Sequence, residues 1–472
     1  MKRLLVVAVS LSALSACNLA PVYQRPDPAI VQSFPTGPAY GPRSEAQLTA
    51  SWRSLFDDAR LQTLVGRAVS DNRSLRQSLA QVESARALYR SQRAAQLPSL
   101  SGGLSSSFNG GSASVQGDES HQASLNLASF EIDLFGRLRN ETAAAFESYL
   151  ATEAGARSAH VTLVSETASA WLAMAADQDL LQLAQDTATS ARRSLDLTRT
   201  LNERGLVSRL DVVSAEQVLS QAEADVADFT RQVAQDRNAL TLLAGGPVED
   251  ALLPPSLMAL DQAIGVPAAG LSSDVLLDRP DVSQAEHQLR AANADIGAAR
   301  AALFPTISLT ALAGVISPSL AGLFDDGEDT WTVSPSVTAP IFSPTARANV
   351  AYSEAQRDAA AAGYQFAVQT AFREVADALA RDGTIDAQRA ALSAQAASAT
   401  ESLTLSEARY RAGIDDYLST LTAQRSTYAA RQAEFGIVLE DLLNRVTLYQ
   451  VLGGAAEDWA AAMSDPTMAS IP

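Results

Sequence analysis

Two stretches of this chain match each other at a fixed offset of 207 residues, and that internal repeat constrains the fold more than any other feature. Arg93-Ala94-Ala95-Gln96-Leu97-Pro98-Ser99-Leu100-Ser101 aligns with Arg300-Ala301-Ala302-Leu303-Phe304-Pro305-Thr306-Ile307-Ser308. At the same offset Asp71 meets Asp278 and Phe135 meets Phe342. At an offset of 208, Glu203-Arg204-Gly205-Leu206 aligns with Arg411-Ala412-Gly413-Ile414, and Leu210 with Leu418. Alanine-rich helices resemble one another by composition alone. Composition does not bring a proline junction, a strand end and a glycine turn into register.

Each repeat reads in the same order. A helix of about thirty residues ends near Leu97 or Phe304, where the following proline stops it. Two short extended runs then flank a Gly/Ser/Asp-rich loop, Asn109 to Ser120 in the first repeat and Pro318 to Asp329 in the second. Next come proline-free stretches of 65 residues (Arg137 to Leu201) and 67 residues (Thr345 to Arg411). As helices, each would reach roughly 100 Å at the α-helical rise. A glycine turn, Gly205 or Gly413, reverses the chain into a helix of about 35 residues. The first of these closes at Leu242-Leu243-Ala244-Gly245-Gly246-Pro247. The expected organisation is residues 1–16 as an export signal, 17–56 as an extended N-terminal segment and 57–246 as the first repeat. Residues 247–270 form a proline-bearing linker, 271–452 the second repeat and 453–472 a tail.

The extended runs decide the architecture. Ile307, Leu309, Ala311, Ala313 and Val315 alternate with Thr306, Ser308, Thr310 and Leu312. Trp331, Val333, Pro335, Val337, Ala339 and Ile341 alternate with Thr332, Ser334, Ser336, Thr338 and Pro340. Phe130, Ile132 and Leu134 alternate with Glu131 and Asp133, whereas Leu125 and Leu127 have the other parity, so a bulge is expected near Ser129. One face is apolar and the other small or polar, as in a transmembrane β-strand with lipid outside and water inside. A soluble sheet packed on helices gives a similar alternation. Only four such strands are present in the chain, and an open sheet in lipid leaves its edges unsatisfied. A closed barrel must therefore be shared between chains: two copies supply eight strands, three supply twelve with room for a conduit.

The N-terminus fits export. Met1-Lys2-Arg3 is a basic leader, and Leu4 to Ala13 is an apolar run of ten residues, too short to span a bilayer. It ends in Leu14-Ser15-Ala16-Cys17, which resembles the lipobox of bacterial lipoproteins, with Cys17 as the acylated residue. An ordinary export signal with a chance cysteine is the alternative. Asn18 stands where Asp often retains lipoproteins in the inner membrane, which favours the outer membrane. Acyl chains anchor a protein without spanning the bilayer.

Composition excludes much. The 35 basic and 53 acidic residues give a net charge of −18, which argues against nucleic acid as a partner. Cys17 is the only cysteine and Lys2 the only lysine, so disulfide frameworks, cysteine metal sites and P-loop or Schiff-base lysines are absent from the mature chain. No nucleophile elbow, phosphate loop, dinucleotide fingerprint or zinc-protease motif occurs. Glu131 and Asp133 read as water-facing strand residues and not as a hydrolytic pair. Asp325, Asp326, Glu328 and Asp329 read as a solvated loop in preference to a calcium site. His121, His160 and His287 are widely separated, with no partner at metal-ligand spacing. No cofactor, metal or catalytic residue is expected.

On these residues the chain resembles the outer-membrane factor family, the TolC-like exit ducts, and within it the lipoprotein (NodT-type) branch that serves resistance-nodulation-division efflux pumps. The resemblance rests on the lipobox followed by Ala20-Pro21-Val22-Tyr23-Gln24-Arg25-Pro26, and on Glu131-Ile132-Asp133-Leu134-Phe135-Gly136-Arg137. It rests also on Pro340-Ile341-Phe342, Ala408-Arg409-Tyr410-Arg411-Ala412-Gly413 and the duplication. It covers essentially the whole mature chain. It implies a mainly α protein with a membrane β-barrel: a homotrimer whose twelve strands, four per chain, continue into a long periplasmic α-helical barrel. Small molecules such as drugs and toxic compounds would leave through it, driven by an inner-membrane pump and coupled through a periplasmic adaptor (membrane fusion protein).

By the same resemblance, Arg204, Gly205, Leu206, Tyr410, Arg411, Gly413 and Ile414 are the tips that meet the adaptor. Asp211 and Leu418 begin helices that close the duct at a periplasmic gate. Many relatives carry an Asp four residues beyond the leucine; here that position is Thr422, which puts a carboxylate gate in doubt. Asp415 and Asp416 can supply charge there, or can cap the helix that begins at Tyr417. Two other readings stay open at this stage: an exit duct for secreted polypeptide, and a structural coiled-coil lipoprotein bridging membrane and cell wall.

Overall fold

The computed structural model describes residues 18–27, 30–31, 33–40, 51–109, 118–260, 262–265 and 273–464. The export signal, Cys17 and most of the first strand–strand loop lie outside the described residues. The chain divides into two compact units. One comprises Met1–Pro28, Gln81–Ala154 and Ser283–Ala367; the other comprises Ala29–Ala80, Gly155–Val282 and Val368–Pro472.

A short helix, α1 (Trp52–Leu55), precedes the first repeat, which contains α2 (Ala59–Asp71), α3 (Arg73–Ala94), β1 (Leu100–Asn109), β2 (Asp118–Ile132), α4 (Arg137–Glu203) and α5 (Arg209–Leu243). The second contains α6 (Pro280–Ala301), β3 (Thr306–Ser317), β4 (Glu328–Thr338), α7 (Pro344–Arg411) and α8 (Tyr417–Val451), followed by α9 (Ala456–Ser464). The two long helices run 67 and 68 residues, near the lengths expected from the absence of proline. The expected thirty-residue opening helix is instead a 22-residue helix in each repeat. In the first, Asn72 interrupts it: extended there (ψ 127°), Asn72 accepts from Leu75 N at 3.0 Å and so starts a new helix. In the second, Pro280 occupies the first helical position, where its missing N–H costs nothing.

The four strands form one antiparallel sheet in the order β1-β2-β3-β4. The pairings Gly102↔Leu125, Leu125↔Ala313 and Ala313↔Trp331 carry one face across all four strands. Leu100, Leu104 and Phe108 share it with Leu127, Leu309, Ala311, Val333 and Val337. The opposite face carries Ser101, Ser105, Gln122, Ser124, Asn126, Ser308, Thr310, Thr332, Ser334 and Ser336. The expected bulge is present: the register shifts between Leu127 and Phe130, and Ser129 has φ 36°. It returns Phe130 and Ile132 to the apolar face. The strand read to Ile341 ends at Thr338, because Pro340 lacks a ladder donor and restricts its neighbour. Pro335, which supplies no ladder donor, lies on β4, an outer strand of the described sheet. His121 lies inside β2 and not at its start, with Nδ1 2.7 Å from Ser106 Oγ.

In the second unit the core gathers Phe56, Leu61 and Leu64 around Trp171, Leu172 and Met174 of α4 and Val438 and Leu442 of α8. The Trp171 indole N–H donates to Leu252 O at 2.9 Å, which ties the inter-repeat linker to the long helix. Such burial supplies about 1.5–3 kcal/mol per large apolar side chain.

Candidate functional site

Two regions bear on function: the two-faced sheet and the turns of the helical hairpins. The sheet comes first. Leu104 (64% exposed), Trp331 (74%) and Val337 (66%) leave its apolar face uncovered by the chain's own helices. An apolar surface of this extent needs a nonaqueous neighbour. Among the described residues, β1 and β4 each have one unpaired edge. At the base of the polar face, Glu131 is held bidentately by Arg137 (Nε 3.0 Å, Nη2 2.6 Å), which also reaches Glu141 at 2.7 Å. Asp133 accepts from Arg139 N at 3.0 Å, so both carboxylates are engaged in joining strand to helix. Among the described residues no helix is long and apolar enough to cross a membrane, and no acid, histidine or cysteine group is arranged to hold a metal ion.

The hairpins α4–α5 and α7–α8 turn in the same way. Gly205 (φ 73°) donates to Asn202 O at 2.8 Å, and Leu206 N to Leu201 O at 2.9 Å. Gly413 (φ 72°) donates to Tyr410 O at 2.9 Å, and Ile414 N to Arg409 O at 3.0 Å. These are matched left-handed helix caps, which only glycine adopts without strain. Arg204, Gly205, Leu206, Arg411, Gly413 and Ile414 are all exposed, Leu206 at 68% and Ile414 at 64%. Tyr410 differs. Its ring packs 5.5 Å from Tyr417, beside the cluster Leu195, Val212, Ala215 and Leu421. Burial, with the nearby Asp211 charge, raises its pKa.

The acids near the turns have local partners. Asp211 forms a capping box with Ser208: Asp211 Oδ2 accepts from Ser208 N at 2.9 Å, and Ser208 Oγ accepts from Asp211 N at 3.3 Å. Asp416 caps α8 through Ser419 N at 3.1 Å, as the capping alternative required. Asp415 accepts two hydrogen bonds from Arg409, at 2.6 and 2.8 Å, which holds its carboxyl below the usual range. Leu418 is 60% exposed, and the Thr422 hydroxyl donates back to its carbonyl at 2.8 Å.

Sequence reasoning missed two contacts between the return helices. Arg425 Nη2 donates to Gln217 Oε1 at 2.9 Å, and Tyr428 OH to Asp225 Oδ2 at 2.8 Å. They border a cavity of about 250 Å³ floored by Val218 and Ala222. The signal was available, because Arg425 and Gln217 are repeat mates at the offset of 208 that the turns define.

The model of the outer membrane efflux protein family matches residues 64–246 and 271–454, once over each repeat. The chain belongs to that family. It is an outer-membrane transport protein and not an enzyme. Among similar proteins are the antibiotic efflux pump outer membrane protein ArpC and the toluene efflux pump outer membrane protein TtgC, both of Pseudomonas putida. Each is 41% identical over 463 residues, covering 96% of both chains. The open state of the Neisseria gonorrhoeae MtrE outer membrane channel superposes with a TM-score of 0.85 at 36% identity, covering 94% of this chain and 99% of that one. The expected fold class, mainly α with four strands per chain in a TolC-like channel fold, agrees with these relatives.

Proposed function

We propose that three copies of the chain close their sheets into one twelve-stranded barrel, forming the outer-membrane exit duct of a tripartite efflux pump. The carrying observation is the two-faced sheet: among the described residues, four strands, one exposed apolar face, two unpaired edges and no helix long and apolar enough to cross a membrane. Lipid satisfies the apolar face, water the polar face, and neighbouring copies the edges. An edge strand left bare in hydrocarbon would forfeit several kcal/mol per orphaned backbone group.

The cargo follows the relatives' names, toluene and antibiotics, and therefore consists of small molecules. Energy comes from an inner-membrane pump, linked through a periplasmic adaptor. The exposed turns at Arg204, Gly205 and Leu206, and at Arg411, Gly413 and Ile414, offer the adaptor surface, with Tyr410 as their internal support. Leu418, with Thr422, Asp211, Asp415 and Asp416 around it, forms a gate that is hydrophobic at its narrowest level. Cys17 carries the lipid anchor, and the segments bounded at residues 16, 56, 246, 270 and 452 are the working divisions of the chain. A wall-bridging coiled-coil lipoprotein has no use for the sheet.

Arginine placed on each face tests the reading. Val333→Arg or Val337→Arg near the bilayer midplane should destabilise the assembly by about 2–4 kcal/mol, whereas Ser334→Arg or Ser336→Arg should be tolerated and alter conductance. Equal responses from the two faces would show that the sheet does not separate lipid from water.

A further inference from the structure

The water-facing side of β3 is not uniformly polar. Thr306, Ser308 and Thr310 occupy one half of it, but Leu312 and Ile316 occupy the other. Leu312 lies between Asn126 on β2 and Thr332 on β4; Ile316 lies between Gln122 and Glu328. Between them Gly314 can carry no side chain, because a Cβ there would sit 2.1 Å from Ala123 O. Along the rows of Leu312 and Thr310, the described partners on this face are hydroxyls and amides. The ionised groups stand at its ends: Glu328 at the start of β4, and Glu131, already neutralised by Arg137.

From this register we infer that Leu312 and Ile316 form an apolar track through an otherwise uncharged, hydroxyl- and amide-lined passage, and so fit the barrel to uncharged solutes of low polarity. The inference rests on the shared-barrel reading, which puts this face toward the lumen. Both side chains are half-buried, and the apolar surface they still present among serines and threonines costs solvation that a nonpolar solute passing over it relieves. A hydroxyl wall also brings no fixed charge that would hold counterions in the passage.

The test uses the full chain in a host lacking its own ducts, with its adaptor and pump, challenged with toluene and with a dianionic penicillin. Leu312→Ser combined with Ile316→Ser should lower protection against toluene at least fourfold and leave protection against the penicillin within twofold. Leu312→Met combined with Ile316→Val keeps the track apolar and should restore toluene protection. Purified Ser variant should still conduct in planar bilayers. Unchanged toluene protection in a conducting Ser variant overturns the inference, and so does equal loss for both solutes. If the unsubstituted chain forms no pore, the barrel reading itself fails, and the inference with it.

Discussion

Arg425 reaches across to Gln217 at 2.9 Å, so equivalent positions of the two repeats, 208 residues apart, touch each other. With Tyr428 and Asp225 at 2.8 Å, this contact braces α8 against α5 near the candidate gate. Hydrogen bonds at such part-exposed sites contribute about 1 kcal/mol each. Arg425→Ala combined with Tyr428→Phe should therefore leave the assembly intact while raising basal conductance. Leu418→Ala should act in the same direction and admit large antibiotics such as vancomycin. Tight, vancomycin-resistant cells carrying either variant would show that this level of the hairpins does not gate.

The turns give a separate prediction. Leu206 and Ile414 are exposed at 68% and 64%, and the glycine caps beneath them do not depend on their side chains. Leu206→Trp or Ile414→Trp should preserve assembly but abolish adaptor cross-linking and drug tolerance. If pump and cross-link survive, the adaptor docks elsewhere on the helices.

Stability should fall in acid for an identifiable reason. His160 is 1% exposed, and neither ring nitrogen has a hydrogen-bond partner. Its ring stands edge-on to Trp459 at 6.0 Å. Burial pushes its pKa down to about 4, Arg53 and Arg157 push the same way, and Asp458 opposes them. The neighbouring Asp458 also anchors the chain's opening helix, accepting from Ser51 Oγ, from Trp52 N at 3.1 Å and from Tyr449 OH at 3.2 Å. The folded pKa lies below the unfolded value of about 6.5, so the unfolded state binds the proton more readily. Stability is full above about pH 6.5 and falls as the pH drops toward 4, by about 3 kcal/mol in all from this group. His160→Gln should flatten the melting temperature across that window. An unchanged slope would assign the acid sensitivity to other groups.

The proposed acylation of Cys17 has its own test, and the residues that follow it are tied down. Residues 19–25 run along α6 toward the sheet: Glu286 receives Arg25 Nη2 at 2.8 Å, Asn293 Nδ2 donates to Pro21 O at 2.8 Å, and Arg300 Nη1 to Leu19 O at 3.4 Å. Leu19, two residues after Cys17 in the sequence, thus lies beside Arg300, at the end of α6 that leads into β3. Cys17→Ser should abolish labelling by radioactive fatty acid, while the sheet still inserts. Continued labelling would place the acyl group on another residue.

What the sequence revealed and what it concealed follow from the range of each interaction. Strand alternation, the Ser129 bulge and the glycine turns are local: a period of two, a parity switch and a left-handed backbone all leave marks within a few residues. The break at Asn72 was local too, but its signal was a single capping side chain inside an otherwise helical pattern. The strap on α6, the Asp458 knot and the Arg425–Gln217 contact join residues more than 200 apart. No local pattern marks such pairs; only the duplication hinted at the last.

The central claim is that one chain supplies one third of a barrel. The most direct measurement is the mass of the purified particle, taken before and after heating in detergent, with single-channel recording of the same preparation. The account predicts three chains per particle, dissociation to single chains on heating, and ion-conducting pores in planar bilayers. A single-chain particle that gives no conductance would contradict it.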